Sequence, residues 1–169
     1  LHTPADMVNL KMRTYGDLQM SLMRSLGADP TQLSWSELYS ALQTGAVDGN
    51  MNGYQTLYSG SLHEVQPYIT EVNATLSLYD FLANQAAWDK LSPDTQALLQ
   101  ECAEEAAKWG RDYMSKTEAE VKKEMIDYGV KVYVPTAEEL LAFKEGAAPT
   151  IEEYKKIVGP EACAAWGVE

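Results

Sequence analysis

Four side chains able to bind a small anion lie close to the ends of predicted strands. Arg13 lies near the end of an alternating apolar and polar run at 10–14, and Trp35 follows a second short strand. Asn50 and Asn52 lie in a turn after a third. A guanidinium can bind a carboxylate through two parallel hydrogen bonds, which contributes about 1.5–3 kcal/mol when the pair is desolvated. These residue types therefore indicate a site for a small carboxylate, with an indole and two amides in its wall.

Each of the four residues also has a purely structural interpretation, which the sequence alone leaves open. Arg13 could be a surface arginine at a strand end, and Trp35 could simply pack against a sheet. Asn50 and Asn52 could be turn residues, because asparagine tolerates positive φ and Asn52 precedes Gly53.

The helix between the second and third predicted strands has clear start and stop signals. Ser34 and Glu37 form a capping box, and Gly45 stands where a helix ends in the left-handed conformation. With this helix in place, residues 10–62 alternate strand, helix, strand, helix, strand, helix. Such alternation predicts an α/β fold with a mostly parallel sheet covered by helices. Because ligands bind at the carboxyl ends of parallel strands, we expect the four candidate residues to share one edge.

The rest of the chain predicts one very long helix among shorter elements. Apolar residues at steps of three or four extend from Pro93 to Tyr128, a helix about 54 Å long at 1.5 Å per residue. A helix of this length should extend along more than one lobe or pair with a partner chain. The other predicted elements are a strand at 72–79, helices at 83–90 and after the capping boxes Thr136/Glu139 and Thr150/Glu153, and a strand at 130–134.

The composition excludes several classes of partner and of site. The net charge of −12 argues against nucleic acid and against an anionic membrane surface, both of which need clustered basic residues. No apolar run is long enough for a membrane helix, and the start of the sequence has no signal-peptide pattern. Cys102 and Cys163 are too few for a zinc site, and either a disulfide or two free thiols would fit them.

Catalytic patterns are weak, so we expect a protein that is not an enzyme and needs no cofactor. His2 and His63 are the only histidines, and neither lies at a predicted strand end. The sequence has no nucleophile elbow, zinc-binding helix or phosphate-binding glycine loop. The paired acids lie in predicted helices, where they are expected to face solvent.

Several motifs spread over nearly the whole chain resemble one protein family. They are L-K-M-R at 10–13, L-G-A-D-P at 26–30, S-E-L-Y-S-A-L-Q-T-G-A-V-D-G at 36–49, H-E-V-Q-P-Y at 63–68 and W-D-K-L-S-P-D-T-Q at 88–96. Together they resemble the DctP-type solute-binding subunits of TRAP transporters. In that family a periplasmic receptor captures an organic acid and passes it to membrane permease subunits. The resemblance implies the same ligand class, partners and periplasmic location here.

The resemblance also implies an architecture and roles for individual residues. Arg13 matches the arginine that binds the ligand's carboxylate, Trp35 matches an aromatic that packs on the ligand, and Asn52 matches a ligand-binding asparagine. The family folds as two α/β lobes of the periplasmic-binding-protein type with a long helix across both. Members are longer than this chain, which resembles their second half.

That correspondence predicts three segments. Residues 1–77 would form the second lobe, and residues 78–117 would return towards the first lobe with the start of the long helix. Residues 118–169 would complete that helix and add a strand and C-terminal helices that pack on the second lobe. Without the first half, apolar surface of the return segment should be exposed or covered by another copy of the chain.

The alternative function is a helical interaction or oligomerisation module without a small-molecule ligand. In that case the 93–128 helix would pair between chains. A coiled coil should keep strict heptads, whereas the apolar steps here drift.

Overall fold

The computed structural model of the chain describes residues 1–75, 78–165 and 167. They fall into two compact units, which we call unit 1 (Leu1–Ala74 with Met125–Glu169) and unit 2 (Thr75–Glu124). The predicted α/β class is confirmed. The strands are β1 (Lys11–Thr14), β2 (Asp29–Gln32), β3 (Gly49–Asn50), β4 (Tyr68–Thr70) and β5 (Lys131–Tyr133). The α-helices are α1 (Asp17–Ser25), α2 (Trp35–Thr44), α3 (Tyr54–Ser59), α4 (Gln85–Trp88), α5 (Pro93–Tyr128), α6 (Ala137–Gly146) and α7 (Ala148–Ala165).

Unit 1 contains two parallel sheets. The first has the strand order β2-β1-β3, so β1 is central, and the second pairs β4 with β5. Because each strand of the first sheet is followed by a helix, the alternation predicted for residues 10–62 is present. The carboxyl ends of β1, β2 and β3 consequently lie at one edge of this sheet.

One apolar core cluster of unit 1 contains residues of β1, α1 and α6. Phe143 of α6 and Met12 of β1 both belong to it. Its buried members are Met7, Met12, Leu22, Met23, Leu26, Ala28 and Phe143. This core anchors β1, and therefore Arg13, from behind.

The ends of α2 follow the sequence prediction. The Glu37 carboxylate accepts hydrogen bonds from both the backbone N–H and the hydroxyl of Ser34. Gly45 has φ 73° in the left-handed region, and its N–H closes the last turn. The capping bonds therefore fix the start of α2, and with it the position of Trp35, the first residue of the helix.

The predicted strand at 72–79 is wrong for the residues that the structure describes. Residues 72–75 and 78–79 are not in a strand, while Leu76 and Ser77 lie outside the described residues. A strand needs a neighbouring strand to which its backbone can hydrogen-bond, and none of the described residues at 72–79 pairs with one. The strand that does form nearby is β4, only three residues long, and its partner β5 lies some sixty positions away in sequence.

The second of the two C-terminal capping boxes is also wrong. Helix α7 begins at Ala148, so Thr150 lies inside it rather than at its N-terminus. The Thr150 hydroxyl instead contacts the hydroxyls of Ser21 and Ser25 on α1 at 3.1 and 3.3 Å. Glu153 accepts a hydrogen bond from Ser21. Tertiary contacts with α1 therefore use the two side chains that a cap would have used. Gly159, at φ 81°, interrupts α7 before Pro160.

Unit 2 consists of α4 and most of α5. The shorter helix covers only four of the residues predicted at 83–90, whereas α5 has the predicted bounds, Pro93–Tyr128. Large apolar side chains of this unit are exposed, among them Leu78, Tyr79, Phe81, Leu82, Leu98 and Trp109. Self-association of the chain through such surface stays a prediction. Cys102 and Cys163 are free thiols.

Candidate functional site

Strand β1 places Arg13 beside both neighbouring strands of the first sheet. Its Cα partner is Thr31 on β2 and Asn50 on β3. Adjacent strands of a parallel sheet carry paired residues on the same face. The register of β1 and β3 therefore places the guanidinium of Arg13 next to the amide of Asn50, although the two residues are 37 positions apart in the sequence.

The Arg13 side chain is buried yet mostly unpaired within the protein. It is 5% exposed, and its Nε donates a hydrogen bond to the Leu33 carbonyl at 3.0 Å. Among the described residues, neither terminal nitrogen of the guanidinium makes a hydrogen bond or an ion pair. Burial lowers the pKa of the Arg13 guanidinium, with the nearby Tyr15 opposing the change. The group nevertheless remains a cation at any physiological pH.

Two aromatic rings lie against this guanidinium. The Cζ atom of Arg13 is 5.5 Å from the centre of the Tyr15 ring and 6.0 Å from that of Trp35. Both distances are within the range of a cation–π contact. Tyr15 comes two residues after Arg13, in the turn that follows β1. Trp35 begins α2, immediately after the capping residue Ser34.

The tip of Trp35 also packs against Gly60. A Cβ atom built on Gly60 would lie 2.7 Å from Cζ2 of the indole and 3.1 Å from Cη2. A Cβ atom so close to the ring would force the ring to move. The indole can occupy its present position because residue 60 is a glycine. Gly60 thus shapes the site without contributing a functional group.

Arg13, Tyr15 and Trp35 line a recess of about 420 Å³ at the sheet edge, which we call the Arg13 recess. This volume is within the usual range for a small-molecule site. Hydrogen bonds from Ser34 lower the pKa of the Glu37 carboxyl and keep it charged at the helix start. Arg13 is the only cation among the lining residues: Arg13, Tyr15, Gln32, Leu33, Ser34, Trp35 and Glu37.

The two candidate asparagines do not line the Arg13 recess, but they form a chain of amides beside it. The Asn52 side-chain N–H₂ donates to the Asn50 side-chain oxygen at 2.7 Å, and Asn50 in turn donates to Gln66. Both asparagines are half-buried. Of the four residues singled out from the sequence, the structure thus joins Arg13 and Trp35 in one recess and places Asn50 and Asn52 next to it.

Tyr15, Gly60 and Gln66 are parts of this region that the sequence reasoning missed. The signal available for Tyr15 was its position in the chain, since it follows β1 directly and is two residues from Arg13. Gln66 lies inside a quoted motif, but an amide in a short connection has no distinctive pattern. Gly60 has no functional group, so its role depends on the contact with Trp35 that only the structure shows.

A second recess, of about 650 Å³, lies between α1 and α7 and has a different character. Its hydroxyl and carboxylate groups bond one another, as Ser21 does with Thr150 and Glu153. Its arginine, Arg24, is exposed. It therefore offers no buried charge to a ligand.

The described residues contain no cluster of three or more His, Cys, Asp or Glu side chains that could hold a metal ion. His63 lies between the rings of Tyr58 and Tyr128, with centroids 5.1 and 5.0 Å away. His2 contacts the Glu139 carboxylate at 3.1 Å. In the part of the chain that the structure covers, no helix combines the length and the apolarity needed to cross a membrane.

Comparison with known proteins matches residues 1–157 to the family model "Bacterial extracellular solute-binding protein, family 7". The C4-dicarboxylate-binding periplasmic protein DctP of Rhodobacter capsulatus is 31% identical over 167 residues, which are 98% of this chain and 50% of that protein. The chain spans about half the length of the curated relatives it matches first.

Solved structures agree with this match. The periplasmic ectoine-binding protein of the TeaABC TRAP transporter from Halomonas elongata superposes with a TM-score of 0.84 at 30% identity, covering 94% of this chain and 52% of that one. A TRAP periplasmic solute-binding protein from Shewanella oneidensis with bound succinate gives a TM-score of 0.84 at 26% identity, covering 94% and 53%. The fold of this chain is therefore that of about half of such a receptor.

Proposed function

Because the chain belongs to family 7 of the bacterial extracellular solute-binding proteins, we propose that it is part of a receptor that captures an organic acid through Arg13. The bound acid would be delivered to the membrane permease subunits of a TRAP transporter. The relatives named above are periplasmic proteins, and because this chain belongs to their family we propose that it is periplasmic too. On this proposal unit 1 is the larger part of one lobe, and the protein is a receptor rather than an enzyme.

One observation supports the ligand class above all others. Arg13 is a buried cation whose two terminal nitrogens have no partner among the described residues, and it lies in a recess of suitable size. A buried cation that makes no ion pair is costly, so a site of this kind favours an anionic ligand. The Glu37 carboxylate also lines the recess, but its hydrogen bonds go to Ser34 and not to Arg13. The two parallel donors of a guanidinium match the two oxygens of a carboxylate, whereas a lysine ammonium would supply only a point charge.

We assign the neighbouring groups to the wall of the same site. Trp35 would pack on the ligand, and its polarisable face is already turned towards the guanidinium. Asn52 and Asn50 would provide amide donors and acceptors at the adjoining strand end, held in orientation by their bonds to each other and to Gln66. These roles rest on position and chemistry together.

The proposal is tested by calorimetric titration of the intact protein with succinate, L-malate, D-galacturonate and D-glucuronate. For the acid that binds best, Arg13→Ala should weaken binding about 10- to 150-fold, the equivalent of losing a charge-assisted pair of about 1.5–3 kcal/mol. Arg13→Lys should recover only part of the loss, because it keeps the charge and loses the paired donors.

The matched control is Arg24→Ala. Arg24 is an exposed arginine of the same unit, on α1. Its removal changes the net charge equally and should leave the affinity unchanged. An Arg13→Ala variant that bound the acid as tightly as the Arg24→Ala control would refute the carboxylate assignment. Absence of binding by every acid of the panel would refute the proposed ligand class.

A further inference from the structure

We propose that Tyr15 is a positioning residue of the carboxylate site and acts through Arg13 rather than by touching the ligand's carboxylate. This inference rests on the proposed function, since it assumes that Arg13 binds an anion. Tyr15 has no part in the roles assigned above, and its ring is the aromatic nearer to the guanidinium.

The need for such a residue follows from the way Arg13 is held. Among the residues that the structure describes, the guanidinium makes a single hydrogen bond, from Nε to the Leu33 carbonyl. With one hydrogen bond, the guanidinium plane can still rotate about that bond. An arginine side chain also has many rotamers, so ordering it when a ligand binds costs conformational entropy. A carboxylate is bound by both terminal nitrogens only when that plane has the right orientation.

Ring contact supplies the missing restraint. The guanidinium carbon lies 5.5 Å from the Tyr15 ring centre, and a cation favours the electron-rich face of an aromatic ring. Trp35 makes a similar but longer contact, at 6.0 Å. The Nε bond and the two rings together determine the orientation of the guanidinium before a ligand arrives, which reduces the ordering cost of binding.

Tyr15 is itself held in position although its side chain faces solvent. The residue is 62% exposed, yet its backbone N–H donates to the side-chain oxygen of Gln19 at 3.0 Å. Gln19 belongs to α1 and is buried, so this bond ties the turn after β1 to the helix. A surface aromatic on a fixed turn is suited to orienting a neighbour rather than to filling a core.

The first test separates the ring from the hydroxyl. With the best-binding acid of the panel, Tyr15→Phe should bind as the unchanged protein does, because the ring remains. Tyr15→Leu should weaken binding about threefold, the size expected for an exposed cation–π contact. Since the residue is exposed, neither change threatens folding. Equal losses in both variants would overturn the proposal, because they would show that the hydroxyl binds the ligand.

The second test is a double-mutant cycle with Arg13. If Tyr15 acts through the guanidinium, Tyr15→Leu should cause no further loss in the Arg13→Ala protein, titrated at correspondingly higher acid concentration. The same loss in both backgrounds would overturn the positioning role. An effect on one acid of the panel but not on the others would also overturn it, because a correctly oriented guanidinium serves every carboxylate alike.

A matched control is available on the second sheet of unit 1. Lys131 lies over the ring of Tyr68 at 5.5 Å, and Tyr68 is 68% exposed. Tyr68→Leu therefore removes a cation–π contact of the same length away from the Arg13 recess and should leave affinity unchanged. If Arg13→Ala weakens binding and Tyr15→Leu does not, only this inference fails. If Arg13→Ala has no effect, the proposed function itself fails.

Discussion

The contact between Gly60 and Trp35 makes a sharp test of whether the indole belongs to the ligand site. We expect Gly60→Ala to weaken acid binding while leaving the protein folded and about as stable. A new Cβ would lie 2.7 Å from the indole Cζ2, and an ordinary contact begins near 3.4 Å. The ring tip must therefore withdraw by about 0.7 Å, because the other close neighbour is the backbone oxygen of Thr56, at 3.2 Å.

The expected effect on stability is small for two reasons. Gly60 has φ −86° and ψ 5°, which alanine adopts without strain. Replacing glycine at such a position stabilises by about 0.4–1 kcal/mol through the unfolded chain, which offsets part of the clash. Trp35 is 45% exposed and can move outward at little cost. The melting temperature should consequently change by no more than about 2–4 °C.

The expected effect on affinity is larger. A well-placed aromatic contact contributes about 0.5–1.5 kcal/mol beyond its buried area. Losing this contact corresponds to a dissociation constant that is about two- to thirteen-fold higher. Calorimetric titration with the best-binding acid measures that change, and a thermal scan of the same samples measures stability.

Gly53→Ala is the matched control for Gly60→Ala. Gly53 stands at the other end of α3 with φ −76°, and a Cβ there would meet no atom within 4 Å. It should change neither affinity nor fold. Equal affinities of the two variants would refute the role of Trp35 in the site. A large loss of stability in Gly60→Ala would show instead that the indole is a structural part of unit 1.

Two further predictions concern stability. Thr14 is fully buried and its hydroxyl has no partner among the described residues, so Thr14→Val should stabilise the protein by about 1 kcal/mol and raise the melting temperature by about 2–4 °C. As the control, Thr44→Val at an exposed position should change the stability by less than about 0.5 kcal/mol. A Thr14→Val protein less stable than the unchanged one would contradict the reasoning. Hydrogen bonds from the Thr136 backbone and from the Tyr133 hydroxyl lower the pKa of the Glu139 carboxyl to about 2, from an ordinary value of 4.5. Because the folded state favours the charged form, this contribution is fully present above pH 4.5 and is lost as the pH falls through about 2. Thermal scans across this window should show a smaller loss on acidification in Tyr133→Phe, and an unchanged loss would contradict the assignment.

Local signals in the sequence account well for individual elements. The capping pair Ser34 and Glu37 and the left-handed Gly45 bound α2 as predicted, because caps act between residues a few positions apart. The end of α5 at Tyr128 follows from Gly129 for the same reason. Alternating strands and helices with short connections leave few topologies other than a parallel sheet, so the α/β class could be inferred before any coordinates.

Predictions failed where the outcome depended on distant parts of the chain. The Thr150 and Glu153 pair satisfies the capping pattern, but Ser21 and Ser25 on α1 compete for the same side chains. Alternation at 72–79 looked more strand-like than the three residues of β4. A strand, however, is stabilised by its neighbour, and β4 finds one in β5.

The sequence by itself determined the residue types that favour a carboxylate ligand, the boundaries of α2 and α5, and the sheet edge at which Arg13, Trp35, Asn50 and Asn52 were expected. Those features depend on periodicity and capping, which act over a few residues. Only the tertiary structure decided that Arg13 is buried with its terminal nitrogens unpaired among the described residues, that Tyr15 lies over it and that Gly60 makes room for the indole. The burial of Arg13 and the contact between Trp35 and Gly60 depend on which segments pack together, and that packing joins residues tens of positions apart.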